Sequence, residues 1–241
     1  VLGAGGMLGS MVASEVASSA DLEAICTLRD PAALPTGASA GESVSWRTFD
    51  AENGTLDHLV SLLGGASWAV NAIGVIKPYI EEDTASVERA IRVNALFPQK
   101  LARAAEDTEC RVLQIATDCV FAGTGGGYAE DDPHDALDTY GKTKSLGEAR
   151  SPFMHHLRCS IVGPELRTRV SLLEWFRHQP KEAVLRGFMN HRWNGVTTLH
   201  FARLCVGMME CGTDLPGLHH VVPSGCVTKK ELLDCLAREY G

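Results

Sequence analysis

The chain has 241 residues, 45% of them hydrophobic and 22% charged, which suits one large α/β domain with an appendage and excludes a disordered tail or a collagen-like repeat. Its 22 Lys and Arg against 30 Asp and Glu leave a formal charge of −8 with no basic stripe, so neither nucleic acid nor an anionic membrane is an expected partner. No apolar run approaches the roughly 20 residues that span a bilayer, and the eight cysteines form no C-x-x-C pair, which reads as a cytoplasmic protein with reduced thiols and no metal site.

Only Val1 and Leu2 precede a glycine cluster that ordinarily follows a strand of about five residues, so part of a first strand is expected to be missing; a helix over Leu232–Tyr240 running into Gly241 suggests the same of the other end. Leu8, Met11, Val12 and Val16 keep helical spacing. Strands are then predicted at Leu22–Leu28, Val44–Phe49, Trp68–Ile73, Arg111–Thr117 and His156–Val162. Helices are predicted between them at Thr55–Leu63, Thr84–Glu106, which Pro98 should break, and Thr139–Ala149. Such alternation is the signature of a doubly wound parallel sheet with helices on both faces. After Gly163-Pro164 the elements become shorter and less regular: Ser171–His178, Val184–Gly187, Thr197–Cys211, His219–Val222 and Thr228–Tyr240, the last opened by a Thr228/Glu231 capping box. The pairs His155-His156 and His219-His220 read as strand ends, because neighbouring side chains on a strand point to opposite faces and chelate poorly.

Gly3-Ala4-Gly5-Gly6-Met7-Leu8-Gly9 lies between the strand remnant and an amphipathic helix, where glycines let backbone approach a pyrophosphate at a helix N-terminus. The spacing is G-x-x-G-x-x-G, with Gly3, Gly6 and Gly9 as its glycines, and by itself it also fits a plain turn before a buried helix. At the end of the second predicted strand an arginine would meet the 2′-phosphate of NADP, and an acid the ribose hydroxyls of NAD. Arg29 comes first and Asp30 second, which favours NADP(H) and leaves NAD(H) open. Asp50 is a candidate for the adenine amine, or else a helix cap or turn residue.

Tyr140 and Lys144 stand one helical turn apart on one face, so the lysine charge is expected to lower the phenol pKa and let Tyr140 exchange a proton with a carbonyl or hydroxyl oxygen. Upstream, a strand ends in Thr117-Asp118-Cys119-Val120-Phe121 at the carboxyl edge where parallel sheets bind ligands, placing a Thr117 hydroxyl beside the reacting oxygen.

With the glycine motif, Asn71-Ala72, Val93-Asn94, Thr117-Asp118-x-Val120-Phe121, Tyr140-Gly141-Lys142-Thr143-Lys144, Gly147-Glu148 and Leu157-Arg158 in place, the chain resembles the extended short-chain dehydrogenase/reductases, and among them the dTDP-4-dehydrorhamnose reductase type. The resemblance implies a Rossmann-like sheet with a small C-terminal substrate-binding subdomain: residues 1–163 for NADP, 164–241 mainly for substrate, with 197–211 packing back on the first. It implies Thr117, Tyr140 and Lys144 as catalytic residues, Asn94 as their support near Lys144, and Asn71-Ala72 beside the nicotinamide. Asp118 and Cys119 would face the substrate, although Cys119 stands where the family usually has an aromatic residue. In Asn190–Thr197, which has Val196 where many relatives have proline, Arg192 and Trp193 are candidates for phosphate contact and base stacking, or else a surface Arg and a core Trp.

The implied activity is NADPH-dependent reduction of the 4-keto group of a nucleotide-diphosphate deoxysugar; a homodimer is an open expectation that the sequence does not decide. Two other expectations remain: a nucleotide-sugar epimerase with recycled NAD, and a regulatory NADP-binding subunit like the one that resembles this reductase type in methionine adenosyltransferase. A 4,6-dehydratase is disfavoured because Asp118 is followed by Cys119 and not by Glu.

Overall fold

The computed structural model describes residues 1–30, 44–81 and 83–240. Pro31, which directly follows Asp30, lies outside the described residues.

Six strands and the Val1-Leu2 segment lie side by side. β1 (Ala24–Leu28) pairs in parallel with β2 (Val44–Thr48), and β3 (Trp68–Asn71), β4 (Arg111–Thr117), β5 (Met154–Cys159) and β9 (Gly217–His220) form a four-stranded parallel sheet in that order. Val1 and Leu2 join the two. Thr27 N–H donates to the Val1 carbonyl at 2.9 Å, Leu2 N–H to the Val70 carbonyl at 2.8 Å, and Ala72 N–H back to the Leu2 carbonyl at 3.0 Å. The combined order is β2, β1, Leu2, β3, β4, β5, β9, and the change of direction beside Leu2 opens a crevice at the strands' carboxyl ends.

Successive strand residues alternate between two cores, as a sheet covered on both faces requires. Ala69, Val112 and Met154 face α2 (Leu56–Leu63) and α4 (Phe97–Thr108), meeting Leu59, Phe97 and Leu101. Val70, Leu113 and Leu157 face α1 (Met7–Ala17) and α7 (Thr198–Glu210), meeting Val12, Val16, Phe201 and Cys205. The late segment therefore returns twice to the first half, as helix α7 on α1 and as strand β9 on β5.

Pro98 does not break its helix. After α3 (Thr84–Ala90) the chain runs through a π turn, Ile91–Leu96, directly into α4, and Pro98 falls in the first turn of α4, where its missing N–H is tolerated. His155 and His156 lie inside β5, not at its end, and Val184–Gly187 is neither helix nor strand. The Thr228/Glu231 box forms as expected: Thr228 N–H donates to Glu231 Oε2 at 2.7 Å, Glu231 N–H to Thr228 Oγ1 at 3.1 Å, and α8 (Lys229–Tyr240) follows. Two short pairs complete the fold, β6 (Ile161–Val162) with β8 (Val196–Thr197), and β7 (Arg192–Trp193) with β10 (Val227–Thr228). Among the described residues no helix is long and apolar enough to cross a membrane.

Candidate functional site

The glycine loop has the shape its composition allows. Gly3 sits at φ +80°, a conformation that favours glycine, with its N–H on Thr27 Oγ1 at 3.0 Å and its carbonyl accepting Gly6 N–H at 3.0 Å. A Cβ on Gly9 would run into the Gly3 carbonyl, so the turn closes only with glycine there. Gly6 caps α1 with no side chain, and no acid occupies the first turn, leaving backbone donors and the positive end of the helix at the crevice. Leu8 is buried in the α1 core and can serve a ligand only through backbone, whereas Met7 is half-buried. These features fit a dinucleotide pyrophosphate.

Arg29 directly follows the last residue of β1 and is exposed. A Cβ on Gly5 would meet Leu28, so Arg29 and the glycine loop share one edge. Asp50 is committed to a turn: its carboxylate accepts from Glu52 N–H at 3.1 Å and Asn53 Nδ2 at 2.7 Å, and Thr55, not Asp50, caps α2.

Asn71 ends β3 fully buried, its Nδ2 donating to Gln114 Oε1 at 2.7 Å and its Oδ1 accepting from Ile73 N–H at 3.0 Å. With Ala72 bound to Leu2, this fixes the backbone that leads into the crevice. Asn94 lies in the π turn, where its amide grips Val75 from both sides: Oδ1 accepts Val75 N–H and Nδ2 donates to the Val75 carbonyl, each at 2.8 Å. Its Nδ2 also reaches Thr143 Oγ1 at 3.3 Å, one residue from Lys144. Asn94 thus joins the loop after β3 to α5 (Thr139–Leu146).

Asp138 caps α5 by accepting Gly141 N–H at 2.8 Å, and Lys77 Nζ holds its other oxygen at 2.8 Å, so its carboxyl lies below the usual range. Gly141 leaves no room for a Cβ against the Cys119 carbonyl, and this brings Tyr140 up to Thr117. Thr117 accepts Cys119 N–H at 3.2 Å at the end of β4. Burial pushes the Tyr140 phenol above its ordinary range, Cys119 and Asp118 add to that, and the Thr117 hydroxyl opposes it. The expected lowering by Lys144 is not found. The lysine ammonium donates to the Ile115 carbonyl at 3.1 Å, and burial brings its own pKa down to about 8. Tyr140 is therefore protonated at neutral pH, the state a proton donor needs.

This arrangement coincides with a family. The sequence model of the RmlD substrate-binding domain matches residues 1–156. The chain belongs to that family. Over 70 residues it is 39% identical to a dTDP-4-dehydrorhamnose reductase of Streptomyces griseus and 37% identical to one of Salmonella typhimurium; each match covers 29% of this chain and 23% of the relative. The matched segment thus spans about a quarter of those relatives' length. Among solved structures, a dTDP-4-dehydrorhamnose reductase of Clostridium acetobutylicum aligns at a TM-score of 0.74 and 18% identity, covering 98% of this chain and 78% of that one. One from Bacillus anthracis in complex with NADP aligns at 0.73 and 17%, covering 99% and 78%. The Bordetella bronchiseptica enzyme WbmG in complex with NAD and UDP aligns at 0.78 and 17%, covering 100% and 77%. These likenesses establish a Rossmann-like α/β fold over the whole chain.

The expected site residues fall into three groups. Thr117, Tyr140, Lys144, Asn94 and Asn71 converge between β3, β4 and α5; the glycine loop and Arg29 occupy the β1 end of the same edge. Arg192 and Trp193 lie past β5, where Arg192 Nη2 is 2.9 Å from Cys226 Sγ and Trp193 Nε1 donates to Ser160 Oγ at 2.7 Å. Among the described residues no hydrogen bond or ion pair links either to Thr117, Tyr140 or Lys144. Asp118 and Cys119 are exposed beside Thr117. The helix is predicted from Thr139, where α5 begins, but Lys77 and Asp138 are passed over; an Asp directly before the first helical residue is an N-cap signal that marks Asp138.

Proposed function

We propose that this chain is an NADPH-dependent reductase of the 4-keto group of a nucleotide-diphosphate deoxysugar. The observation that carries the reading is the placement of the half-buried Tyr140 side chain beside the Thr117 hydroxyl at the carboxyl edge of β4, one helical turn from Lys144. Thr117 holds the carbonyl oxygen and Tyr140 gives it a proton. Lys144 holds the cofactor ribose, Arg29 meets the 2′-phosphate, and backbone of the Gly3–Gly9 loop takes the pyrophosphate. When bound, the reduced nicotinamide supplies the hydride. Asn94 and Asp138 keep α5 in register with the loop after β3. Residues 1–163 form the cofactor half; 164–241 supply the substrate side, with Arg192 and Trp193 toward the nucleotide. The family resemblance and the relatives' names support this substrate class.

The test is NADPH oxidation by the purified full-length protein against a panel of 4-keto nucleotide sugars. Oxidation in equal amount to product separates a reductase from an epimerase that recycles its cofactor. No oxidation with any member, with NADPH bound, rejects the reading in favour of a regulatory binding subunit. Sedimentation of the same sample tests the homodimer.

A further inference from the structure

We propose that Arg158, His134 and His220 form a proton-sensitive clamp that positions the segment after Thr117 against the helix carrying Tyr140 and Lys144. Arg158, on β5, is 1% exposed. Its Nε and Nη2 donate to the two oxygens of Glu148, just past the end of α5, at 3.1 and 2.9 Å. Nη1 lies 2.7 Å from His220 Nε2 on β9, and Nη2 lies 2.8 Å from His134 Nε2 in the segment between β4 and α5. The guanidinium carbon sits 4.9 Å from the centroid of the Phe121 ring, which stacks on Tyr128 at 4.4 Å. Three parts of the chain thus converge on one cation. Two of them, the Phe121–His134 segment and α5, flank Thr117 and Tyr140.

A guanidinium only donates, so both imidazole nitrogens facing it accept, and both rings are neutral while the clamp is closed. The other nitrogen of His134 lies 2.6 Å from Ser145 Oγ on α5. A proton on either Nε2 sets donor against donor and cation against cation beside the buried guanidinium.

The surrounding charges do not remove that conflict. Glu148 is already held by Arg158, and its Oε2 is 3.5 Å from His134 Nε2. Glu130 accepts His220 N–H at 3.0 Å, and it faces His219 as well. Asp118 acts on His220 from the turn after β4, and Lys144 and His156 belong to the same charge cluster. Asp131, Asp132, Lys142 and Arg150 line a cavity of about 990 Å³ onto which the clamp opens, giving solvent protons access. For His220, burial outweighs Glu130 and holds the pKa below 6.5, with Arg158 acting in the same direction. The unfolded chain then takes up the proton first as pH falls, so the clamp is intact above 6.5 and weakens below it. Acidification should loosen the Phe121–His134 segment before the rest of the fold.

The experiment is hydrogen exchange on the full chain at about pH 7.5 and 5.5, corrected for intrinsic rates, comparing wild type with a His134→Gln/His220→Gln variant whose amide oxygens accept but do not protonate. The expected result is exchange in peptides spanning 121–136 about tenfold faster at the lower pH in wild type and unchanged in the variant. Equal wild-type protection at both pH values, or the same loss in the variant, overturns the clamp. A ring-proton titration of wild-type His220 decides the matter if the variant does not fold: a midpoint below 6.5 supports the clamp and one at or above it refutes it. Neither measurement uses substrate or cofactor, so the outcome is independent of whether the protein is a reductase.

Discussion

Gly141 lies flat against the Cys119 carbonyl, so closely that no Cβ fits between the first turn of α5 and the turn after β4. That approach sets Tyr140 beside Thr117, and a methyl group at 141 would also meet Ala136 Cβ at 2.5 Å. Gly141→Ala should therefore cost about 1–3 kcal/mol, the range for overpacking a fitted contact. Gly207→Ala, on α7 with nothing within 4 Å, should raise stability by up to about 1 kcal/mol through helix propensity. Urea unfolding of the pair checks this; equal midpoints would mean that α5 can shift away from Cys119.

Lys144 is the one catalytic candidate whose burial has a direct price in stability. Its amine titrates at about 8 in the fold against 10.5 when free, so the folded chain gives up the proton first as pH rises. Stability should rise between 8 and 10.5 and stay level below 8 on this account. Holding the charge at neutral pH costs about 2–3 kcal/mol, partly offset by the bond to the Ile115 carbonyl, so Lys144→Met should be about 1–2 kcal/mol more stable and lack the alkaline rise. Unfolding of both proteins on either side of pH 8 reads the difference, and a less stable variant refutes it.

The sheet and the Tyr140/Lys144 pair are legible in the sequence because both rest on local periodicity. Arg111–Thr117 is found as predicted, since period-two residues feed two cores and Thr117 closes the strand at the crevice. Long-range partners decide what periodicity does not show. His155 and His156 sit within β5 because His155 packs against Trp68, with ring centroids 5.4 Å apart, and His156 Nε2 bonds the Ala149 carbonyl at 2.7 Å. The relation between Lys144 and Tyr140 depends on where the ammonium turns. Spacing puts the two on one face, yet the Ile115 carbonyl, 29 residues upstream, takes the lysine. The π turn ahead of Pro98 belongs to the same class, since the Asn94–Val75 bonds span 19 residues.

Tyr140→Phe should lower turnover by about 10²–10⁴-fold, the usual worth of a positioned proton donor, and leave NADPH affinity unchanged because the ring still packs. Steady-state rates with cofactor titration decide it. A variant that keeps more than about a tenth of the wild-type rate removes Tyr140 from the chemistry.

Arg29 should set the cofactor preference. A 2′-phosphate carries about two negative charges near neutrality, and an exposed guanidinium at the end of β1 can meet it with two hydrogen bonds. A charge-assisted bond is worth roughly 1.5–3 kcal/mol, so NADPH should bind about ten- to a hundredfold more tightly than NADH, and Arg29→Ala should abolish the difference. Equal wild-type affinities would hand the choice to Asp30 or to a backbone donor of the glycine loop.

Trp193 offers two separable roles. Its indole N–H donates to Ser160 Oγ at 2.7 Å, and Gly195 leaves no room for a Cβ against the same ring, so part of the side chain holds β7 to the segment after β5. The ring is nonetheless only half-buried, on the side of the fold assigned to substrate. Trp193→Phe keeps an aromatic face but loses the hydrogen bond and part of the ring packed on Gly195, which should cost about 1–3 kcal/mol of stability with little change in KM. Trp193→Ala removes the face as well and should raise KM for the nucleotide sugar about tenfold while NADPH affinity holds. If the alanine variant instead loses about 3 kcal/mol of stability with KM unchanged, the indole is packing alone, and base stacking must be sought elsewhere after Gly163.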